Sequence, residues 1–344
     1  MAVNKIKLTG SAATHGPNEL ERVAYLDGWR GVAIGLVLYG HFMPESGWFN
    51  SGRFGVDVFF CLSGFLMSNI LFVRCMPLST FYKRRISRIF PVFLLFIVTI
   101  SLIGWYTTGF FSWIEFLSTA SFLRTYTPTN PDIWHTPLPI GHMWSLNAEE
   151  HSYVLLSILT LLAFLKRREG WVLVGGGILS IGIHVAYINF PSFAPPSGEM
   201  GTEVVASHLL ISAGYFLLRQ RFVRFVRPWM PVAAFLGAML CYTPLVPLWS
   251  SMLLSPFLLA LTVNHLSETQ LLVRKSLASP SIRLLGIWSY SIYIWQQPFF
   301  IYQHHFPPGG ALAAAMLVSI GSFYLIESPV RTWLNKNWQD SIVR

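Results

Sequence analysis

Long apolar runs separated by short polar segments dominate the chain. A helix that crosses the hydrocarbon core of a bilayer, about 30 Å thick, needs roughly 20 residues, and ten runs approach this length. Two runs are short and Pro244 and Pro247 interrupt another pair, so the pattern allows nine to eleven spans. The runs predict helices over 29–44, 54–73, 89–110, 153–165, 171–190, 204–218, 230–245, 247–264, 284–303 and 310–327.

The basic residues follow these runs in a pattern that predicts an orientation. If the N-terminus lies in the cytoplasm and the chain crosses ten times, 22 of the 24 lysines and arginines fall on the cytoplasmic side, and only Arg53 and Arg124 lie outside. Membrane proteins show this bias. The sequence therefore predicts an all-α, polytopic transmembrane bundle of about ten helices with both termini cytoplasmic.

Composition excludes other protein classes. Only 11% of the residues are charged and 53% are apolar, whereas an average soluble domain carries about 25% charged residues, and the mean hydropathy is +0.51. The net charge of +9 lies in short clusters between apolar runs, so we expect membrane lipids and not nucleic acid as partners. We expect a cytoplasmic segment over 1–24, a membrane domain over 25–330 and a cytoplasmic tail over 331–344.

The predicted outer connection over 111–150 is long, and its prolines forbid one continuous helix. Loops of this length are usually functional or disordered, and the aromatic content of this one favours a functional element. Histidines collect on the same side, but no HExxH-like spacing is present, so we expect no metal site. They are His135, His142, His151, His304 and His305.

Polar residues inside predicted spans are costly and therefore candidate functional residues. Arg30 and His41 are eleven positions apart, which places them on one helix face about 16 Å from each other. Asp57 begins the second span, where a carboxylate suits a first helical turn or a site. Ser63 and Gly64 lie near mid-membrane, where a small pair suits close helix packing or a substrate passage.

Two further clusters lie near span ends. In GHMWSLNAEEHSY, Glu149 and Glu150 are neighbours that cannot share a helix face, so one acid is expected to face the bundle and the other water, and orientation alone does not decide which. In FYKRRISRIFP, Arg85 and Arg88 are one turn apart and suit a phosphate clamp or a basic anchor at the lipid surface. Inner arginines with an outer imidazole fit an enzyme acting across the membrane or a transporter.

Six motifs occur in an order that resembles the acyltransferase 3 family of integral-membrane O-acyltransferases, from about residue 25 to residue 330. They are LDGWRG with His41, GRFGVDVFFCLSGFL, KRRISRIFP, GHMWSLNAEE, SYSIYIW and IESP. The resemblance implies transfer of an acetyl or other short acyl group from cytoplasmic acyl-coenzyme A to a sugar hydroxyl of an exported or lipid-linked glycan. It also implies the bacterial cytoplasmic (inner) membrane, a stand-alone acyltransferase type, and association as a homo-oligomer or with an export complex.

The resemblance also assigns residues. The family's Arg-x10-His pair falls on Arg30 and His41, its RxxR pair on Arg85 and Arg88, and its acid after WSL on Glu149. Further motif positions fall on Asp57, Ser63, Gly64, Trp144, Ser289, Tyr293 and Glu327. The chain departs from the family at Gln296, where a histidine is usual, although an amide can still hydrogen-bond a sugar or the donor.

These assignments lead to a mechanistic hypothesis. We expect His41 to act as general base, because an imidazole titrates near neutrality, with Glu149 or Asp57 orienting it. Arg30, Arg85 and Arg88 are expected to hold the phosphates of acetyl-coenzyme A. A transporter or flippase for a glycan or acyl carrier is the alternative function, and it predicts substrate movement without an acyl donor.

Overall fold

The computed structural model describes residues 17–43, 47–127, 138–195, 198–247 and 249–340. This part of the chain is helical and contains no β-strand, so the prediction of an all-α protein is confirmed. The helices are α1 (Pro17–Phe42), α2 (Ser51–Ser68), α3 (Leu78–Thr108), α4 (Trp113–Ala120), α5 (Met143–Leu161), α6 (Glu169–Asn189), α7 (Thr202–Val205), α8 (Ser207–Leu218), α9 (Met230–Leu240), α10 (Trp249–Leu253), α11 (Ser255–Asn264), α12 (Leu271–Leu277), α13 (Pro280–Ile301), α14 (Gly310–Ser322) and α15 (Ser328–Asp340).

Each of the ten predicted spans lies mainly in helix. Within the described ranges, four helical segments are long and apolar enough to cross a membrane. They are Ser51–Val73, Leu78–Thr108, Glu169–Asn189 and Gly310–Trp338. Two apolar helices, α9 and α11, are shorter. The count of ten spans and the cytoplasmic location of both termini stay predictions.

Several helices begin earlier than the apolar pattern indicates. Helix α1 begins at Pro17 instead of 29, α3 at Leu78 instead of 89, and α5 at Met143 instead of 153. The added turns carry the polar and basic residues of the motifs, which hydropathy alone reads as loop. The long outer connection contains the short helix α4, and its residues 128–137, with His135, lie outside the described residues.

Helix α1 packs against α13 on one side and α2 on the other. An added Cβ at Gly286 of α13 would lie 1.7 Å from the carbonyl oxygen of Asp27, and one at Gly55 of α2 would lie 2.6 Å from that of Ala33. The three backbones are therefore in direct contact. Because α1 carries both Arg30 and His41, these contacts fix the position of both side chains relative to α2 and α13.

Gly64 has the same role between α2 and α8. A Cβ there would lie 2.2 Å from the carbonyl oxygen of Leu209, closer than any side chain allows. Small residues permit such close approach in membrane bundles. Of the two interpretations of this position, the structure favours helix packing.

We predict that Gly286→Ala destabilises the protein by at least about 1–3 kcal/mol, the usual cost of overpacking, because the new methyl group would meet a backbone carbonyl that cannot rotate away. Thermal unfolding of the detergent-solubilised protein measures the change. Gly321→Ala on α14 is the control, since an added Cβ there meets open space. Equal melting temperatures for the two variants would contradict the close contact of α1 and α13.

Candidate active site

Two cavities that share lining residues divide the candidate residues between them. The cavity lined by Arg30, Arg85 and Arg88 has a volume of about 90 Å³, and the cavity lined by His41 about 560 Å³. We call them the inner and the outer cavity after the predicted orientation of the chain. Val56 and Tyr293 line both, so these two side chains form the boundary. The predicted residues in the inner cavity are Arg30, Ser63, Arg85, Arg88, Glu149, Ser289 and Tyr293. Those in the outer cavity are His41, Trp144 and Tyr293.

The three arginines of the inner cavity differ in their partners. Arg30 forms an ion pair with Asp27 at 3.2 Å, and Arg85 forms one with Glu150. The Arg85 guanidinium also lies 4.0 Å above the ring of Tyr153. Arg88 makes no hydrogen bond or ion pair with another residue of the described part of the chain. Its guanidinium is therefore the one most available to an anionic ligand.

Both acids of α5 face the interior of the bundle. Ser63 donates a hydrogen bond to Glu149 Oε1 at 2.5 Å, and the hydroxyl of Tyr153 donates to the same oxygen. Glu150 pairs with Arg85 and its side chain is only 17% exposed. The expectation that one of the two acids meets water is thus wrong, because a buried cation from α3 neutralises the second acid.

His41 is held on two sides at the outer end of α1. Its Nδ1 lies 2.6 Å from Gln296 Oε1 on α13, and its ring stacks on Phe300 at a centroid distance of 4.4 Å and an interplanar angle of 14°. The expectation that Glu149 or Asp57 orients this imidazole is therefore not met. The partner is the amide at the position where the family usually has histidine.

Asp57 anchors a separate polar cluster. It is 1% exposed, accepts a hydrogen bond from Arg53 Nε at 3.0 Å and another from the Tyr242 hydroxyl at 2.6 Å, and lies 3.6 Å from His208 Nδ1. The Arg53 guanidinium in turn lies 5.0 Å from the ring centre of Trp144. Asp57 therefore holds the arginine that lies against the wall of the outer cavity.

A side cavity of about 650 Å³ adjoins this cluster. Asp57, His184 and His208 line it, and it shares Arg53 and Glu199 with the outer cavity. The half of the bundle that contains His41 thus has two cavities with shared lining residues. Together they are far larger than the inner cavity.

Tyr293 closes the boundary between the inner and outer cavities. Its hydroxyl donates to the carbonyl oxygen of His142 at 3.0 Å and hydrogen-bonds Ser145 Oγ. His142 Nε2 is 3.1 Å from the carbonyl oxygen of Ile294, an interaction in which the ring nitrogen donates. These bonds tie α13 to the start of α5 at the narrowest part of the site.

Glu327 lies outside the linings of these cavities. It ends a π-helical turn, Phe323–Glu327, accepts a hydrogen bond from Ser291 Oγ at 2.6 Å and lies 3.6 Å from Arg331. Such turns often rotate a side chain out of the regular helical direction. Here the carboxylate joins α13 to the α14–α15 segment, which is a structural contact.

The outer connection is fastened to the rim of the bundle by Tyr126. Its hydroxyl donates to Glu203 Oε2 at 2.6 Å and accepts from the backbone N–H of Thr202 at 2.7 Å. Burial and the neighbouring Glu203 carboxylate raise the pKa of Tyr126 to about 12. The phenol therefore stays protonated, and the bond holds, across the physiological pH range.

Two elements of the site escaped the sequence interpretation. The bond between His41 and Gln296 joins residues 255 positions apart, and the partners of Asp57 come from α8 and from the segment after α9. Each partner had one visible signal, a polar side chain within or beside an apolar run, where such residues are costly. The pairing of these polar residues depends on how the helices pack, and the sequence alone does not show it.

We predict that Asp57→Asn lowers stability by about 3–5 kcal/mol, the range for breaking a buried ion pair, because Arg53 loses its counter-charge. The folded fraction should keep the acyl-transfer activity that the resemblance implies to within about threefold. A residue that does not touch the reacting atoms makes no transition-state interaction that the substitution could remove. Thermal unfolding and activity per folded molecule measure the two effects. Normal stability with abolished activity would instead place Asp57 in the chemistry.

Comparisons with known proteins bear on the activity. Residues 23–328 match the Acyltransferase domain model of the acyltransferase 3 family. Over 339 residues the chain is 26% identical to "Putative membrane-bound transacylase BcsY" of Komagataeibacter xylinus, across 88% of this chain and 81% of that protein. No solved structure matches significantly.

Other relatives are longer than this chain. "Peptidoglycan O-acetyltransferase OatA" of Listeria monocytogenes is 26% identical over 350 residues, across 90% of this chain and 56% of that protein. "Putative O-acetyltransferase SACOL0978" of Staphylococcus aureus is 27% identical over 190 residues, across 49% of this chain and 31% of that protein. The chain thus spans about half the length of the Listeria relative. Because the domain model covers nearly the whole chain, the protein belongs to the acyltransferase 3 family of membrane-bound O-acyltransferases.

Proposed function

We propose that this protein moves an acetyl or other short acyl group from acyl-coenzyme A, bound at the arginine side, to a sugar hydroxyl of an exported or lipid-linked glycan. His41 acts as general base. The observation that supports this most is the shared boundary of the inner and outer cavities at Val56 and Tyr293. It places a cationic site and an imidazole on the two sides of one shared wall.

The donor is assigned from the charge of the inner cavity. Guanidinium groups bind phosphates through paired, charge-assisted hydrogen bonds, and coenzyme A carries several phosphates. Arg88 has the freest guanidinium, whereas Arg30 and Arg85 are partly neutralised by Asp27 and Glu150. Arg88 is therefore the principal phosphate ligand, and the other two supply the surrounding positive potential.

The pantetheine arm must bridge the distance between the arginines and the base. Arg30 and His41 are about 16 Å apart along α1. The inner cavity, about 90 Å³, holds only a few water molecules, and the bond from Ser63 to Glu149 lies among its lining residues. When the pantetheine arm enters, it breaks the hydrogen bonds of Glu149 to Ser63 and Tyr153 and takes their place. Glu149 therefore controls the entry of the donor and does not orient the imidazole.

Distance favours direct transfer over an acylated Ser63. Gly52 lies beside the His41 ring, and Ser63 is eleven residues further along the same helix, which is about 16 Å. An ester on Ser63 would be out of reach of a hydroxyl activated by His41. Direct transfer needs only that the thioester carbonyl reach the outer cavity.

Residues at the boundary between the two cavities can carry out the chemical step. His41 takes the proton of the acceptor hydroxyl while the oxygen attacks the thioester carbonyl carbon. The tetrahedral oxyanion accepts hydrogen bonds from Tyr293 and Ser145 once these hydroxyls turn away from the carbonyl oxygen of His142, the acceptor that both have without substrate. Collapse breaks the carbon–sulfur bond, and the imidazolium returns its proton to the departing thiolate.

The outer spaces suit a glycan acceptor. The outer and side cavities share Arg53 and Glu199 and present aromatic, carboxylate and imidazole groups. Sugars offer hydroxyls that both donate and accept, together with apolar faces that lie on aromatic rings. One named relative acts on peptidoglycan, which agrees with an acceptor of this class.

We predict that His41→Ala lowers acyl transfer by about 10²- to 10⁴-fold, the usual share of a general base, while the protein still inserts and folds. Purified protein incubated with radiolabelled acetyl-coenzyme A and candidate glycans measures the transfer. Full activity in this variant would remove the base assignment. Movement of a glycan across liposomes without any donor would favour the flippase alternative.

We predict that Arg88→Ala raises the KM for acyl-coenzyme A by about 10- to 100-fold, because a charge-assisted hydrogen bond is worth about 1.5–3 kcal/mol. The kcat at saturating donor should change little. Arg84→Ala is the matched control, since Arg84 lies on the same helix but is exposed and does not line the inner cavity. An unchanged KM in Arg88→Ala would contradict the phosphate site.

A further inference from the structure

We infer that Gln296 is a positioning residue that fixes His41 as the Nδ1–H tautomer and presents Nε2, beside Gly52 in the outer cavity, as the base. This inference rests on the proposed role of His41. The inference names the ring nitrogen that reacts and the residue that determines this choice. It also gives the side from which the acceptor hydroxyl approaches.

The hydrogen bond determines the tautomer. In the amide orientation of this structure, Gln296 Oε1 lies 2.6 Å from His41 Nδ1, and Gln296 Nε2 has no partner among the described residues. Because a carbonyl oxygen only accepts, this orientation places the hydrogen on Nδ1. A neutral imidazole has one N–H, which leaves the lone pair on Nε2. Gln296 is fully buried and the ring is stacked on Phe300, so neither partner can turn freely.

Gly52 lies beside the free nitrogen. A Cβ built on Gly52 would lie 3.7 Å from His41 Nε2 and 3.8 Å from its Cδ2. These are ordinary contact distances, so Gly52 packs against the Nε2–Cδ2 side of the ring. Gly52 lines the outer cavity together with His41, so this side of the ring belongs to the proposed acceptor side.

An amide partner differs from the carboxylate of a Ser-His-Asp arrangement. A carboxylate on Nδ1 stabilises the imidazolium, whereas a neutral amide orients the ring without adding charge. The other ionisable groups lining the same cavity are Tyr39, Arg53, His142, Glu199 and Tyr293. Among the residues described, Gln296 alone hydrogen-bonds the ring.

The test is the pH dependence of ethoxycarbonylation of His41 by diethyl pyrocarbonate, which reacts with an unprotonated ring nitrogen and needs no acceptor or donor. Peptide mapping by mass spectrometry isolates the signal of His41. Gln296→Glu should move the titration midpoint up by about 1–2 pH units, because an adjacent carboxylate favours the charged ring. The acidic limb of the acyl-transfer pH profile should move in the same direction, since the base works only when unprotonated.

Gln297→Leu is the matched control. Gln297 is equally buried and hydrogen-bonds no other residue in the described ranges, so its replacement should leave the midpoint unchanged. An unmoved midpoint in folded Gln296→Glu would overturn the inference. If this variant does not fold, nitrogen-15 NMR of histidine-labelled wild type in bilayers decides, because finding His41 mainly as the Nε2–H tautomer overturns it equally.

A separate variant tests the side from which a reagent reaches Nε2. Gly52→Ala should slow ethoxycarbonylation of His41 at every pH without moving the midpoint, because the added methyl group would lie 3.7 Å from Nε2 and narrow the access of the reagent to it. Gly35→Ala on α1, where an added Cβ meets open space, should change neither quantity. An unchanged rate in Gly52→Ala would show that Nε2 is approached from elsewhere. These readouts do not depend on acyl transfer, so their failure is distinguishable from failure of the proposed function.

Discussion

The backbone contact of α1 with α2 and α13 is the constraint on which the site depends. Glycines on the neighbouring helices let α1 approach until main-chain atoms touch, as Gly55 and Gly286 show. Lipid supplies no hydrophobic force between helices, so such close packing is a main source of their association. The same contact sets His41 beside Gln296 and Gly52.

Most of the arginines that line the inner and outer cavities are paired with a carboxylate. Arg30, Arg53 and Arg85 each have a carboxylate partner, which is how charged side chains become tolerable at membrane depth. Arg88 has no such partner in the described part of the chain. Among the four arginines named here, Arg88 alone offers a guanidinium without a carboxylate partner, and this distinguishes it from the structural ion pairs.

The sequence alone predicted the all-α class and named most of the candidate residues that line the cavities. It did not predict which of these residues contact each other. Hydropathy located the apolar part of each helix, but not the polar turns at Leu78 and Met143, because these turns are stabilised by partners across the bundle. The helical period placed Arg30 and His41 on one face correctly, since that relation is local. Gln296 as the partner of His41 depends on the packing of α1 on α13, which no local pattern encodes.

One interior path is proposed to connect the arginine cavity to His41. The most direct test is to supply donor and acceptor on opposite sides of a membrane. Protein reconstituted in one orientation in liposomes would receive labelled acetyl-coenzyme A on the arginine side and a glycan acceptor on the His41 side. The account predicts labelled glycan with no coenzyme A crossing the membrane, and loss of that product when Val56→Trp fills the boundary. Labelled glycan appearing only when donor and acceptor share a side would contradict it.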